Sequence, residues 1–402
     1  MTDIYICTPL RTPIGRFQGA LANTRPDDLA AHILSAVVDQ STIPSERIDE
    51  VFMGCANQAG EDNRNIARMA TLLAGLPQSV PGVTVNRLCA SGLEAVVQAY
   101  RAAQCGDGEV FVAGGVESMS RAPYSMPRGS NFPKAGNLTI YDTSLGWRFP
   151  NPKMERLFPL EAMGCTAENI VDRYQITRQE QDEFALDSQL KAVQAQAEGA
   201  FDNEISPIEV PAGRKKTQLF TQDEGPRPDS SLEKLSSLKA VFRQGGSVTA
   251  GNSSTLNDGS SAMLVCTKAA VQRYNLKPMA KIISCGSAGV DPTIMGIGPV
   301  PASLKALERA KMDINDIELI ELNEAFAAQS IGVLKALPFP RDRVNVHGGA
   351  IALGHPLGCS GARILTTLIH ALHRHNKTIG LASLCVGVGQ GLSLIVEATD
   401  GI

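Results

Sequence analysis

Short, continuous apolar runs alternate along this chain with longer segments whose apolar residues recur every three or four positions. Ile4-Tyr5-Ile6-Cys7, Val51-Phe52-Met53, Val110-Phe111-Val112-Ala113 and Leu392-Ser393-Leu394-Ile395-Val396 are of the first kind. Such runs predict strands buried on both faces of a sheet. Leu93-Glu94-Ala95-Val96-Val97-Gln98-Ala99-Tyr100 and the segment 28–38 are of the second kind and predict helices. Strand-like and helix-like segments in alternation point to an α/β fold.

The pattern also repeats. Val51 and Ile320 lie in similar runs 269 residues apart, and Ser91-Gly92 and Ser360-Gly361 stand at the same spacing. Ala113 and Ala382, each in a strand that follows a helix, are again 269 apart. Three anchors at one spacing predict a duplicated α/β lobe whose halves pack about a pseudo-twofold axis. From about 120 to 248 the pattern is irregular, with Arg121-Ala122-Pro123, Pro127-Arg128-Gly129-Ser130 and Gly225-Pro226-Arg227-Pro228. One amphipathic helix, roughly 178–199, interrupts it, with Thr177 as N-cap and Glu180 completing a capping box. Loops this long inside a compact protein are usually functional. The organisation expected is therefore a first lobe from 1–119 and 249–272, an inserted loop domain from 120–248, and a second lobe from 273–402.

Composition narrows the function. At 402 residues, 43% hydrophobic and 19% charged, the chain has material for more than one core and is not disordered. A net charge of −4 gives no basic footprint for nucleic acid. No apolar stretch approaches the ~20 residues of a membrane span. The nine cysteines are odd in number and scattered, without a CxxC pair or zinc spacing, so reduced thiols and no metal are expected. Neither end carries an address signal, which makes the cytoplasm the expected location.

Two of those thiols sit in unusual surroundings. In Val83-Thr84-Val85-Asn86-Arg87-Leu88-Cys89-Ala90-Ser91-Gly92 a β-rich run stops at Cys89 and a helix begins within a few residues. A thiol at a helix N-terminus is expected to have a lowered pKa. Its small neighbours would let a substrate carbonyl approach. A base is needed, and there are six histidines. His32, His370, His373 and His375 fall in helical patterns, the last three at a polar end where solvated imidazoles are ordinary. His347 and His355 bracket the glycine-rich run 347–358. His355, stiffened by Pro356, is the stronger candidate, and spacing alone leaves His347 open. The second thiol, Cys385, ends a strand and precedes Val386-Gly387-Val388-Gly389-Gln390-Gly391. A strand follows, where a dinucleotide-binding loop would need a helix. The run therefore predicts a turn facing an active site, with Cys385 moving protons. Asn323, at another strand end, could orient a water or a histidine, or cap a helix.

These blocks, in this order, resemble the thiolases: Cys89-Ala90-Ser91-Gly92, Thr249 to Ser254 with Asn257-Asp258-Gly259, Asn323-Glu324-Ala325-Phe326, Gly354-His355-Pro356-Leu357-Gly358 and Cys385 to Gly391. The resemblance spans essentially the whole chain. It implies a five-layered α-β-α-β-α fold from two duplicated lobes plus an inserted loop domain. It also implies an acyltransferase in which Cys89 is acylated, His355 activates it and Cys385 is the acid/base. Asn323 would hold a water that forms one oxyanion hole with His355; the N–H groups of Cys89 and Gly387 would form the other. Arg227, Phe242, Ala250, Ser254 and Phe326 would line the coenzyme A site, with Met163 beside them. Coenzyme A is then a substrate, no separate cofactor is needed, and a homotetramer built as a dimer of dimers is expected. Part of the insertion would lie in its contacts.

Within the family, the runs 55–65 and 142–149 resemble the 3-oxoadipyl-CoA (β-ketoadipyl-CoA) thiolases of aromatic-compound degradation, as does Val388. The His-Met pair of short-chain biosynthetic thiolases is replaced by Ala162-Met163, and Thr255 stands where glycine is usual beside the pantetheine. A general 3-ketoacyl-CoA or acetoacetyl-CoA thiolase is the alternative. A ketosynthase would lack Cys385, and a silent CoA- or lipid-binding relative would be expected to lose Cys89, His355 or Cys385. A distal carboxylate on the substrate requires a cation, since a buried unpaired charge is very costly. Arg121, Arg128 and Arg148 are candidates. Cys359, beside the His355 loop, is a candidate for the border of the site.

Overall fold

The computed structural model describes residues 2–128, 137–213 and 216–400. Gly129 and Ser130 of the irregular segment, and the last two residues, lie outside the described residues. The principal strands are β1 (Ile4–Arg11), β2 (Glu50–Gly54), β3 (Gly82–Val85), β4 (Val110–Ser118), β5 (Asn257–Thr267), β6 (Pro278–Gly289), β7 (Leu319–Leu322), β8 (Ile379–Val386) and β9 (Gln390–Ala398). The helices used below are α1 (Pro26–Ser41), α2 (Ser91–Cys105), α3 (Met163–Tyr174), α4 (Arg178–Ala197), α5 (Pro299–Ala310), α6 (Ala327–Ala336) and α7 (Leu357–Arg374).

The strands join in the order β7-β8-β9-β6-β1-β5-β4-β2-β3, and a two-residue strand, Gly15–Arg16, adds to β5. Read outward from the β1–β6 junction, the two sides repeat. One runs β1-β5-β4-β2 and the other β6-β9-β8-β7, with antiparallel pairs first and a parallel pair last on each side. On the first side β3 then adds in parallel; on the second, Val344 makes a single parallel bridge to Ile320. The 269-residue echo is thus a repeat of connectivity as well as of sequence.

The apolar runs lack polar alternation because every second residue enters a different core. In β4, Val110 and Val112 pack with α1 residues such as Leu29 and Ile33. Phe111 and Ala113 face the opposite way, where α2 and α7 lie together with Ala382, Leu384 and Leu394 of the second lobe. In β8 and β9, Leu381 and Ile395 point to a third cluster with Leu307 of α5 and Val333 of α6. The layers are therefore helix, sheet, helix, sheet, helix. The central layer is unusually close. A Cβ at Gly115 would fall 2.0 Å from the Gly358 carbonyl oxygen, and one at Gly361 would fall 2.4 Å from Leu93 N.

In the segment 120–248, α4 begins at Arg178 after the expected capping box of Thr177 and Glu180. Its inward face is mixed: Phe184, Ala185, Ala192 and Ala195 pack in apolar clusters, while Gln181, Asp182, Ser188 and Gln189 are also buried and held by hydrogen bonds. It is also not alone. α3 and the short helices Pro152–Leu157 and Leu232–Ser236 accompany it. α3 was hidden by a glycine in its first turn, required because a Cβ at Gly164 would fall 2.1 Å from the Phe242 ring. Among the described residues no helix is long and apolar enough to cross a membrane.

Candidate active site

Strand β3 ends at Val85, four residues before Cys89, rather than at the thiol itself. The chain then turns sharply through Asn86–Ala90. The Asn86 side chain accepts from Leu88 N at 2.9 Å, and Ser91 Oγ accepts from Arg87 N at 2.9 Å while donating to the Leu88 carbonyl at 2.6 Å. Leu88 is forced to φ 48°, a left-handed backbone that costs a non-glycine residue about 1–3 kcal/mol. The turn presents Cys89, half-buried, in the wall of a cavity.

His355 sits before α7, its own N–H donating to Asn257 Oδ1 at 3.0 Å. Ser360 Oγ has one hydrogen and donates it to the Pro356 carbonyl at 2.9 Å. It must then accept from His355 Nδ1–H, 2.6 Å away. That bond fixes the tautomer and leaves Nε2 with its lone pair. Asn323, fully buried just past β7, brings its amide nitrogen to 3.4 Å from Nε2, and its amide oxygen has no donor within the protein among the described residues. Asn323 does not cap α6, which starts at Ala327 after Phe326.

Cys385 is the penultimate residue of β8, and residues 387–389 form the hairpin into β9. Val388 adopts φ 63°, a costly conformation for a β-branched residue. The backbone N–H groups of Gly387, next to it, and of Cys89 itself lie near the Cys89 sulfur and favour its thiolate against burial. The two groups assigned by resemblance to one oxyanion hole thus already converge on the sulfur.

One cavity of about 230 Å³ is lined by Cys89, His355, Cys385 and Gly387 together with Met163, Phe242, Ser254 and Phe326. Arg227 and Ala250 line a second cavity of about 160 Å³, and Thr255 belongs to both walls. Thr255 Oγ1 donates to Asn257 Oδ1 at 2.8 Å, the atom that also receives His355 N–H. His347 is elsewhere, against Phe201 and 3.1 Å from His375 Nε2. His370 and His373 hold the Pro9 and Met279 carbonyls instead of being merely solvated. Cys359 is fully buried and outside the lining of this cavity.

The electrostatics correct one expectation. Burial pushes the Cys89 thiol up to about 11, and the nearby backbone N–H groups of Gly387 and Cys89 offset it only in part. Burial, then the Cys89 charge, raises Cys385 further above the usual thiol range. Burial, aided by the Arg363 charge, lowers His355 to about 3. At neutral pH the resting site therefore holds two protonated thiols and a neutral imidazole. Such a set can exchange protons as charge develops on a bound substrate, with no standing thiolate.

Glu117, Asn257, Ser360 and Glu324 were not assigned roles in the sequence. Glu117, at the end of β4, accepts from the N–H groups of Ala56, Asn57 and Gly358, tying the His355 loop to the first lobe. Glu324 accepts from Ser188 Oγ, Asn345 Nδ2 and Ile351 N. A carboxylate inside an apolar run was the available signal. Glu117, Asp62 and Cys55 place ligand-type atoms within 4.8 Å of one another. Their acceptors are occupied by backbone N–H groups and the Cys55 thiol.

The family model described as the N-terminal domain of thiolase matches residues 4–269, and that of the C-terminal domain matches 276–398. The chain is 51% identical to the β-ketoadipyl-CoA thiolase of Pseudomonas putida, over 99% of this chain and 100% of that one. It is 50% identical to the 3-oxoadipyl-CoA/3-oxo-5,6-dehydrosuberyl-CoA thiolase of Escherichia coli K12, with the same coverage. The crystal structure of the Bacillus anthracis acetyl-CoA acetyltransferase superimposes with a TM-score of 0.94 at 44% identity, covering 99% of both chains. With its layers, its repeated lobes and its paired thiols accounted for, the chain belongs to the thiolase family.

Proposed function

We propose that this protein is an acyltransferase that cleaves 3-oxoadipyl-CoA with coenzyme A to give succinyl-CoA and acetyl-CoA. The observation that carries the reading is the convergence of Cys89, His355, Cys385 and Gly387 on one cavity, and the substrate follows the names of relatives at about half identity over the full chain. His355 Nε2 takes the Cys89 proton as Sγ attacks the 3-oxo carbon. The N–H groups of Cys89 and Gly387 receive the oxyanion; one such donor is typically worth ~10²–10³ in rate. Collapse breaks the C2–C3 bond. The acetyl-CoA enolate, held by His355 and a water oriented by Asn323, takes the Cys385 proton at C2. Succinyl remains on Cys89. Incoming coenzyme A gives its thiol proton to Cys385 and displaces Cys89, which recovers its proton from His355.

Arg227, Ala250, Ser254, Phe242, Phe326 and Met163 bind the coenzyme, the segment 120–248 covers it, and residues 1–119 with 249–272 and 273–402 form the two lobes. No cofactor beyond the CoA substrates takes part, so activity should survive chelators. The protein acts in the cytoplasm as a dimer of dimers, which sedimentation would test. Mixing with acetyl-CoA should place one acetyl group on Cys89, seen by mass spectrometry, and none on Cys89→Ala. Thiolysis rates across 3-oxoadipyl-CoA, 3-oxohexanoyl-CoA and acetoacetyl-CoA decide the substrate. A preference for the unbranched neutral chains would replace the reading with a general 3-ketoacyl-CoA thiolase, and no adduct would leave a binding protein.

A further inference from the structure

A substrate ending in a carboxylate needs a cation near the far end of its acyl chain, and three arginines of the insertion were candidates. Arg121 is already neutralised: its guanidinium forms a fork with both oxygens of Glu61, Nη2 to Oε1 at 2.7 Å. Arg128 is exposed, where an ion pair gains little against water. Arg148 differs from both. It is half-buried, and its three hydrogen bonds among the described residues go to neutral oxygens. Nη1 donates to Asn57 Oδ1 at 2.8 Å and to the Thr143 carbonyl at 3.1 Å, and Nη2 donates to the Asn57 carbonyl at 2.9 Å.

Those bonds take both Nη1 hydrogens and one of the two on Nη2. Nε–H and the second Nη2 hydrogen have no acceptor among the described residues, and Arg148 forms no ion pair there. This remaining edge is the side-on fork that matches a carboxylate. Arg148 is not itself in the wall of the cavity that holds Cys89, but the segment it is tied to is. Thr143, to which it is anchored, leads into Leu145 and Gly146, which line the same cavity as Cys89. Asn57, its other anchor, is held by Glu117, which also holds the loop carrying His355. The two runs singled out in the sequence, 55–65 and 142–149, meet at this one side chain.

We propose that Arg148 is the specificity-determining residue that receives the distal carboxylate of the acyl chain through its Nε/Nη2 edge. The inference rests on 3-oxoadipyl-CoA being the substrate. The test compares thiolysis of 3-oxoadipyl-CoA with that of 3-oxohexanoyl-CoA, of equal length without the carboxylate, in the wild type, Arg148→Gln, Arg148→Lys and Arg121→Gln. Arg148→Gln should lose about 10- to 100-fold in kcat/KM on 3-oxoadipyl-CoA, the size of a hydrogen-bonded charge, and at least tenfold less on 3-oxohexanoyl-CoA. Arg148→Lys, which keeps the charge without the fork, should retain part of the preference; Arg121→Gln should retain all of it.

Equal losses of Arg148→Gln on both substrates would make Arg148 a strut and overturn the inference, as would an unchanged preference. Acetyl transfer to Cys89 and the melting temperature, measured on each variant, separate misfolding from lost selectivity. Should Arg148→Gln misfold, Arg148→Lys decides: full preference with a lysine contradicts recognition by the fork. A wild type that does not distinguish the two substrates overturns the substrate reading and this inference together. A wild type that does, beside an equally selective Arg148→Gln, overturns only the inference.

Discussion

Ser91 and Ser360 occupy equivalent places in the two lobes, each in the first turn of a central helix. Ser91 Oγ donates to the Leu88 carbonyl and accepts from Arg87 N, so its bonds stay within the backbone of the turn that carries Cys89. Ser360 Oγ donates to the Pro356 carbonyl and accepts from an imidazole. The strand ends differ in the same way. β4 ends near Glu117, which only receives backbone N–H groups, and β8 ends near Cys385, which faces the cavity. The lobes share a scaffold; the first holds Cys89 by its backbone, and the second brings His355 and Cys385 to the same cavity.

The strand ends should show the largest separation. Cys385→Ala should still acylate at Cys89 but lose about 10²–10⁴-fold in condensation, with stability nearly unchanged. Glu117→Gln should instead cost about 1–3 kcal/mol in urea unfolding, because the amide nitrogen takes the place of one oxygen and leaves at least one of the three N–H donors without an acceptor, with a smaller loss of rate. Normal condensation by Cys385→Ala would break the comparison.

The serines come next. Ser360→Ala frees His355 Nδ1 to change tautomer and should lower kcat about 10-fold or more with an altered pH profile. Ser91→Ala should cost about 1 kcal/mol of stability with kcat within a few-fold of wild type. Equal effects on kcat would show that the two hydroxyls do the same job.

The pH dependence is a finer probe of the second lobe. The unfolded chain protonates this histidine near 6.5 and the folded one near 3. The unfolded state therefore binds the extra proton between those values. The stability contributed by the neutral ring is complete above pH 6.5 and falls as pH drops toward 3. Urea midpoints should decline more between pH 7 and 5 in the wild type than in His355→Asn. On the alkaline side, iodoacetamide labelling of free Cys89 should keep rising toward pH 11. A plateau by pH 8 would restore the thiolate expected from sequence.

The smallest effect concerns the hairpin after Cys385. Val388→Gly removes the cost of a left-handed β-branched residue and should raise the melting temperature slightly, by less than the ~1 kcal/mol scale of such exchanges, since glycine also gains freedom when unfolded.

Much of this was legible in the sequence because it depends on local pattern. Doubly buried strands read as unbroken apolar runs, the 269-residue spacing survived in both lobes, and Thr177 with Glu180 announced α4. What was hidden depended on distant partners. α4 buries polar residues that only the folded chain can satisfy, α3 carries a glycine for the sake of Phe242, and Cys89 looked activated until the depth of its site was known. The arginine that binds neutral oxygens differs from the one paired with Glu61 only through contacts 60 and 91 residues away in sequence.

The close central layer has a practical consequence for anyone altering this enzyme. Gly115, Gly92 and Gly361 meet backbone atoms of the opposing elements at distances no methyl group tolerates. A single alanine there would push Gly358, and with it the segment carrying His355, away from the other lobe. Variation should therefore be sought at positions whose neighbours are side chains rather than backbone, since Gly286 against Ala302 and Gly225 against Ala352 are as close as the central pairs. The middle of the molecule acts as a gauge block whose thickness sets the spacing of the reacting groups.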